Sequence, residues 1–182
     1  MGIVAEYNPF HNGHVYHIQK TKVQTGADFV VAIITGNFTQ RGNTSVVDKW
    51  EKTKMALNGG VDLVIELPTI YSISSAENFA SGAVKILNKL GIIDMISFGM
   101  EAKDISDLNN IANVLYEEPK EFVSILKEEI KKGNSYPKAR EIALLKYLND
   151  IKRYEDVLKG SNNILAIEYL KALKKCKSNI VP

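Results

Sequence analysis

Short apolar runs rich in valine and isoleucine alternate with longer helical patterns through the first hundred residues. We predict four strands from these runs, covering 3–7, 29–34, 61–67 and 92–98. The runs are nearly continuous in apolar residues, which is typical of parallel strands covered on both faces, whereas half-exposed strands would alternate. This pattern constrains the fold more than any other feature of the sequence.

Helical patterns separate the predicted strands, over about 14–24, 48–58 and 75–90. Strict alternation of strand and helix predicts an α/β fold: a doubly wound parallel sheet with right-handed crossovers and helices on both faces, in three layers αβα. Beyond Gly99 the pattern changes, and we predict a helical C-terminal part with helices over about 104–116, 120–132, 137–148 and 164–175.

The length of 182 residues fits one domain, which we expect to span 1–182. The last residues, 179–182, resemble the beginning of a further strand, so we expect the chain to be part of a longer protein. The single cysteine excludes an internal disulfide framework and a cysteine-based zinc cluster. No apolar run reaches the roughly 18 residues that span a bilayer, and no signal pattern opens the chain. We expect a cytoplasmic protein without a membrane partner.

The net charge of +2 is too small to indicate a nucleic-acid partner by itself. Basic clusters occur at 131–132, 152–153 and 171–177. Such clusters are more often solvated helix surfaces than binding sites. The charge pattern therefore permits an RNA partner without arguing for one.

The segment Glu6–His14 follows the first predicted strand, at the sheet edge where α/β proteins bind their ligands. Pro9 ends the strand ladder, and Gly13 would let an anion approach the backbone. The following helix would direct its free N–H groups and the positive end of its dipole at that anion. His11 and His14 are three residues apart, so their imidazoles can point the same way and hold phosphate oxygens. We predict a phosphate site with both histidines as catalytic residues.

Two other interpretations of the histidines stay open. One is a hydrogen-bonded loop histidine with a solvated neighbour. A zinc site is less favoured, because no carboxylate or cysteine has suitable local spacing, and we predict no metal ligand. His17 lies one further turn into the helix, where it either packs or contacts the ligand.

A second glycine-punctuated loop, 35–42, follows the second predicted strand on the same edge. It could be a plain connector. However, Gln40 and Arg41 could reach an anion, since arginine offers a planar fork of donors to phosphate.

Two further positions are candidates for nucleotide contact. Gly99 closes the fourth predicted strand, where it is either a turn residue or a place for an adenine or ribose against the backbone. Asn162 and Asn163 precede the last helix, where an asparagine could cap the helix or bond a base.

The His-x-Gly-His element resembles that of the nucleotidyltransferase superfamily. Longer strings resemble the bacterial tRNA(Met) cytidine acetate ligases across nearly the whole chain, and they are Glu6–His14, Gly36–Gly42, Asp62–Pro68, Ser97–Gly99 and Asn162–Leu170. The resemblance implies a Rossmann-like nucleotidyltransferase fold and identifies the chain as the N-terminal catalytic portion of such a ligase. Members of this family are about twice as long, and a basic Lys-Arg element that contacts ATP follows the position where this chain ends.

The resemblance implies a reaction in two steps. ATP and acetate give acetyl-adenylate and pyrophosphate, with Mg²⁺ expected beside ATP, and the acetyl group passes to N4 of the wobble cytidine of elongator tRNA(Met), giving N4-acetylcytidine. Matching the family motif implies ATP contacts from Val4, Ala5, Glu6, Tyr7, Asn8, Pro9, Phe10, His11, Asn12, Gly13, His14, Val15, Tyr16, His17, Gly99 and Asn162, with Asn163 as the substitute if the register shifts by one.

Two other functions remain possible from the sequence. One is a small-molecule adenylyltransferase of cofactor synthesis, whose product would be a dinucleotide. The other is a nucleotide-binding module without turnover. The first would show exchange driven by a phosphorylated cofactor precursor, and the second would bind ATP without any exchange.

Overall fold

A computed structural model describes the whole chain from Met1 to Pro182. The strands are β1 (Gly2–Ala5), β2 (Val31–Thr35), β3 (Leu63–Leu67) and β4 (Ile96–Ser97). The helices are α1 (Asn12–Thr25), α2 (Lys49–Asn58), α3 (Thr69–Ser72), α4 (Ala76–Leu90), α5 (Ile105–Glu117), α6 (Lys120–Lys131), α7 (Tyr136–Leu148), α8 (Ile151–Lys159) and α9 (Ser161–Lys175). None of these helices is long and apolar enough to cross a bilayer. Two compact units result, one of Met1–Phe98 with Cys176–Pro182 and one of Gly99–Lys175.

The first unit is built on a parallel sheet with strand order β3-β2-β1-β4. Because parallel crossovers are right-handed, this order puts α1 and α2 on one face and α4 on the other. Successive residues of β1 contact helices on opposite faces of the sheet. Ile3 belongs to an apolar cluster with Ile18 of α1 and Ala56 of α2, whereas Gly2 packs directly against Leu87 of α4. The predicted doubly wound α/β sheet is confirmed.

Two strands are shorter than the apolar runs that predicted them. β1 ends at Ala5 rather than at Tyr7, because Tyr7 has a φ of +49° and leaves the extended conformation. β4 contains only Ile96 and Ser97, the two residues that pair with β1. The predicted strand-like end of the chain does pair there: the N–H of Ile96 donates to the carbonyl of Val181 at 2.9 Å, in a parallel bridge beside β4.

The second unit is helical, as predicted, but contains one helix that the sequence did not reveal. Helix α8 has only two buried positions, Tyr154 and Val157, and charged residues surround them. That composition hides its periodicity. Its first turn is capped by Asp150, whose carboxylate accepts from the N–H of Arg153 at 3.2 Å. The guanidinium of Arg153 also pairs with Asp107, so this basic cluster is not wholly free for a ligand.

A reciprocal set of bonds ties the start of α9 to the chain just after Gly99. Asn163 is buried, with 1% of its surface exposed. Its Oδ1 accepts from the N–H groups of Glu101 at 2.8 Å and Ala102 at 3.0 Å, and its Nδ2 donates to the carbonyl of Val157 at 3.0 Å. In return, the carboxylate of Glu101 accepts from the N–H groups of Asn162 and Asn163.

We expect Asn163→Ala to lower the free energy of unfolding by about 3 kcal/mol, because two N–H groups and one carbonyl lose their partner. Urea denaturation followed by circular dichroism measures this. Asn162→Ala is the matched control, since Asn162 is exposed, and its effect should stay within about 0.5 kcal/mol. Equal losses for the two variants would contradict the structural role of Asn163.

Candidate functional site

The loop between β1 and α1 is held by two aromatic side chains. Tyr7 turns the chain out of the sheet, and 2% of its surface is exposed. Its ring meets the rings of Phe10 and His14 edge-on, with centroids 4.8 and 4.7 Å apart. The Phe10 ring lies so close to Gly59 that a Cβ there would overlap it. These contacts fix the backbone that leads to the histidines.

Burial also affects the hydroxyl group of Tyr7. It is fully buried and has no hydrogen-bond partner. Burial raises the pKa of Tyr7 to about 12. The side chain therefore packs as an uncharged ring in the wall behind His14.

His11 and His14 cap the start of α1 reciprocally. The Nδ1 of His11 accepts from the N–H of Gly13 at 3.1 Å, and the Nδ1 of His14 accepts from the N–H of His11 at 3.1 Å. The two imidazoles stack, with centroids 3.8 Å apart and planes inclined by 27°. The same bonds that begin the helix therefore also orient both rings.

These bonds define where the rings carry their protons. A ring nitrogen that accepts a hydrogen bond holds no proton, so each neutral imidazole carries its proton on Nε2. Burial, together with the nearby His11 and His17, lowers the pKa of His14 to about 4. His14 is thus uncharged at neutral pH and offers an Nε2–H donor beside His11.

Gly13 has a role in the helix cap that its position did not suggest. A Cβ on Gly13 would lie 2.9 Å from Cε1 of His11, so the absent side chain makes room for the capping ring. The N–H of Gly13, expected to be free for an anion, already donates to that ring. The His11 imidazole thus occupies the capping position at the start of α1. The N–H groups that the two histidines can offer to a ligand are therefore those on their Nε2 atoms.

His17 connects α1 to β4 through two hydroxyl groups. Its Nε2 lies 2.9 Å from Oγ of Ser97, which lies 3.0 Å from Oγ1 of Thr21. The Thr21 hydroxyl donates to the carbonyl of His17 at 2.8 Å, so Ser97 must donate to Thr21 and His17 to Ser97. Burial lowers the pKa of His17, in keeping with a neutral ring. These contacts show how His17 packs, and its contact with a ligand stays a prediction.

The second loop touches the first through Gln40. Its backbone N–H donates to Oε1 of Glu6 at 2.7 Å, and its Nε2 donates to the carbonyl of Ser74 at 2.7 Å. Gln40 therefore holds the loop in place. Arg41 is exposed to solvent. Contact of either residue with an anion stays a prediction.

The other predicted residues divide between the two units. In the first unit, Pro9 is exposed and follows a cis peptide bond, and the rest lie at the end of β1 or in the first turns of α1: Val4, Ala5, Asn12, Val15 and Tyr16. In the second unit, Gly99 and Asn162 are exposed, and a Cβ on Gly99 would meet nothing within 4 Å. Asn163 uses its polar atoms within that unit. No group of three or more His, Cys, Asp or Glu side chains is arranged to hold a metal ion.

Lys52 is a residue that the sequence analysis missed. It lies in α2 and is fully buried, and its Nζ donates to the carbonyl of Glu6 at 3.1 Å. The available signal was its position, four residues before the buried Ala56 and hence on the same face of the helix.

The lowered pKa of His14 predicts how stability depends on pH. The unfolded value is about 6.5, so between that value and about 4 the unfolded chain binds a proton that the folded chain does not. The stabilisation is complete above the unfolded pKa and is lost as the pH falls. The two pKa values alone would give a loss of about 2 kcal/mol between about pH 7.5 and pH 5. Because solvent screens the partly exposed ring, we expect a loss of about 1 kcal/mol.

Urea unfolding of the wild type and of His14→Gln at both pH values measures this contribution. Other titrating groups, including His17, act in both proteins and cancel in the difference. If the free energy of unfolding falls as much between the two pH values in His14→Gln as in the wild type, His14 is not responsible for the pH dependence.

Comparison with known proteins supports the assignment of this site to a family. The family model described as HIGH Nucleotidyl Transferase matches residues 1–182. The chain is 55% identical over its full length to tRNA(Met) cytidine acetate ligases from Acetivibrio thermocellus and Thermoanaerobacter sp.. It spans 44% and 45% of their lengths, so it matches somewhat less than half of each.

A solved structure agrees with these matches. The crystal structure of Thermotoga maritima TmcAL bound with alpha-thio ATP has a TM-score of 0.93 and 42% sequence identity to this chain, and it covers 99% of this chain and 44% of that one. The resemblance to the tRNA(Met) cytidine acetate ligases is thus confirmed. Since the family model matches every residue, the chain belongs to the HIGH nucleotidyl transferase family.

Proposed function

We propose that this chain binds ATP at the start of α1 and uses it to activate acetate as acetyl-adenylate. The observation that carries the proposal is the stacked pair of His11 and His14 at the carboxyl edge of a parallel sheet. Their Nδ1 atoms are held by backbone N–H groups, so both Nε2–H groups remain as donors for phosphate oxygens. Ligands of α/β sheets bind at this edge, beside helix N-termini.

The relatives support the same proposal. Their name specifies acetate as the acid and the cytidine of tRNA(Met) as the acceptor. The T. maritima protein was crystallised with an ATP analogue. We propose ATP, acetate and elongator tRNA(Met) as the partners of this chain, and the cytoplasm as its location.

The first step would join two anions. A carboxylate oxygen of acetate attacks the α-phosphorus of ATP, the bond from that phosphorus to the oxygen bridging to the β-phosphorus breaks, and pyrophosphate leaves. The Nε2–H donors of His11 and His14 would offset the charge that gathers on the phosphate oxygens, and the positive end of the α1 dipole would add to this. Mg²⁺ would be held largely by the phosphates of ATP and by water, as is usual for this ion.

The second step would transfer the acetyl group. The N4 amine of cytidine attacks the acetyl carbonyl carbon, the bond from that carbon to the oxygen bridging to phosphorus breaks, AMP leaves with that oxygen on its phosphate, and the nitrogen loses a proton. Acetyl-adenylate is labile in water, so the site should shield it until the RNA binds. We propose that residues 4–17, Gly99 and Asn162 contact the nucleotide, within one nucleotidyltransferase domain spanning 1–182.

We expect His11→Ala and His14→Ala each to lower acetate-dependent ATP–pyrophosphate exchange by on the order of 10²-fold, because each removes one well-placed donor. Radiolabelled pyrophosphate incorporated into ATP measures the exchange. Gln24→Ala, at an exposed position in the last turn of α1, is the matched control and should exchange normally. Near-normal turnover in a histidine variant would make that histidine a bystander.

The acid that drives exchange separates the three functions. We expect acetate to support exchange with the wild-type chain, and radiolabel from acetate to move to RNA only when elongator tRNA(Met) is added. Exchange driven instead by a phosphorylated cofactor precursor would favour an adenylyltransferase of cofactor synthesis. ATP binding without exchange under any of these conditions would favour a nucleotide-binding module.

A further inference from the structure

Lys52 occupies the point where the first two strands separate. The last paired residues of β1 and β2 are Ala5 and Ile34, so Glu6 and Thr35 would be the next pair. The Lys52 ammonium lies there instead. Its Nζ donates to the Glu6 carbonyl at 3.1 Å and to Oγ1 of Thr35 at 3.2 Å.

A third bond extends the contact to the segment 36–47, which joins β2 to α2. Nζ of Lys52 donates to Oγ of Ser45 at 3.1 Å, and that hydroxyl donates to the carbonyl of Gly36 at 3.3 Å. An ammonium has three N–H groups, and here each has one neutral oxygen as acceptor. The geometry of the lysine is therefore completely specified by three segments of the chain.

The buried charge has no carboxylate in direct contact. Burial lowers the pKa of Lys52, while the charges of Glu6 and Glu66 raise it. A charged group without a direct ion pair is costly to bury. Buried positions on a helix are far more often occupied by apolar residues. The free-energy cost of burying the Lys52 ammonium calls for an explanation. The three oxygens that accept its hydrogen bonds indicate that the explanation is the position of the segments to which they belong.

Two side chains of the loop between β1 and α1 also bind the segment 36–47. Glu6 accepts from the N–H of Gln40 at 2.7 Å, and Oδ1 of Asn8 accepts from the N–H of Val46 at 2.7 Å. With Lys52, these residues fasten the segment 36–47 to the segment 6–8. The segment 6–8 leads along the chain to His11 and His14.

We propose that Lys52 is a positioning residue of the nucleotide site: it fixes the Glu6 carbonyl and Ser45, and so holds the loop 6–11 and the loop 36–47 as one preformed unit. The effect on ATP rests on the proposed function, whereas the effect on the loops does not. Lys52 is not itself expected to touch ATP, because it is fully buried and its three N–H groups are in use.

The test compares Lys52→Met with the wild type by hydrogen–deuterium exchange and by ATP-binding calorimetry. Methionine keeps most of the volume and removes the donors. We expect faster exchange of the amides of Gln40, Val46 and His11, with unchanged protection in β2, and a dissociation constant for ATP weakened about 10-fold or more, since small displacements of a site are costly.

Three variants control for other causes. Lys54→Met makes the same change at an exposed position of α2 and should behave as wild type. Val84→Ala destabilises the core of α4 and reports what a general loss of stability does to the same amides. Ser45→Ala, which retains the lysine, should weaken ATP binding by a smaller factor and should add nothing to Lys52→Met.

The outcomes separate the two proposals. Exchange that rises equally across β2 and both loops, as in Val84→Ala, would overturn the positioning role, and so would unchanged loop amides in Lys52→Met. If Lys52→Met does not fold, Ser45→Ala decides through the same amides. A wild-type chain that binds no ATP would overturn the proposed function, while the exchange data would still decide the role of Lys52.

Discussion

The reciprocal cap between His11 and His14 is the interaction on which the rest of the site depends. Two side-chain nitrogens replace water as partners of backbone N–H groups at the first turn of α1. That leaves each ring only one nitrogen for a ligand and sets which one it is. The glycine between them is needed because the capping ring lies over it. Helix initiation and presentation of donors are thus achieved by the same bonds.

The electrostatic state of the pair follows from its surroundings. Tyr7 and Phe10 bury one side of His14, and stacking brings a second imidazole to 3.8 Å. Burial disfavours the charged form of His14, and the neighbouring imidazoles add to this effect, so the pKa of His14 is lowered. A neutral donor can bond a phosphate oxygen without itself being a strongly hydrated ion. This suits the proposed site, which would release pyrophosphate as well as bind a triphosphate.

The sheet and the position of the histidines could be predicted from the sequence, because both depend on local patterns. Continuous apolar runs indicated parallel strands, and spacing indicated that His11 and His14 face one spot. Three features depend on tertiary contacts, and the only local signal for any of them was the position of Lys52 on the same helix face as Ala56. They are the left-handed turn at Tyr7, the capping of Gly13 by a ring and the burial of Lys52. Helix α8 was missed because its two buried residues lie among charges.

The buried hydroxyl of Tyr7 gives this protein an optical reporter of its own. An ordinary tyrosine has a pKa of about 10 and is largely phenolate by about pH 11. Tyr7, with a pKa of about 12, still carries its proton there. Because tyrosinate absorbs at longer wavelength than tyrosine, we expect Tyr7, which packs against His14, to contribute a late component to an alkaline absorbance titration. The state of the loop can thereby be followed without attaching a label.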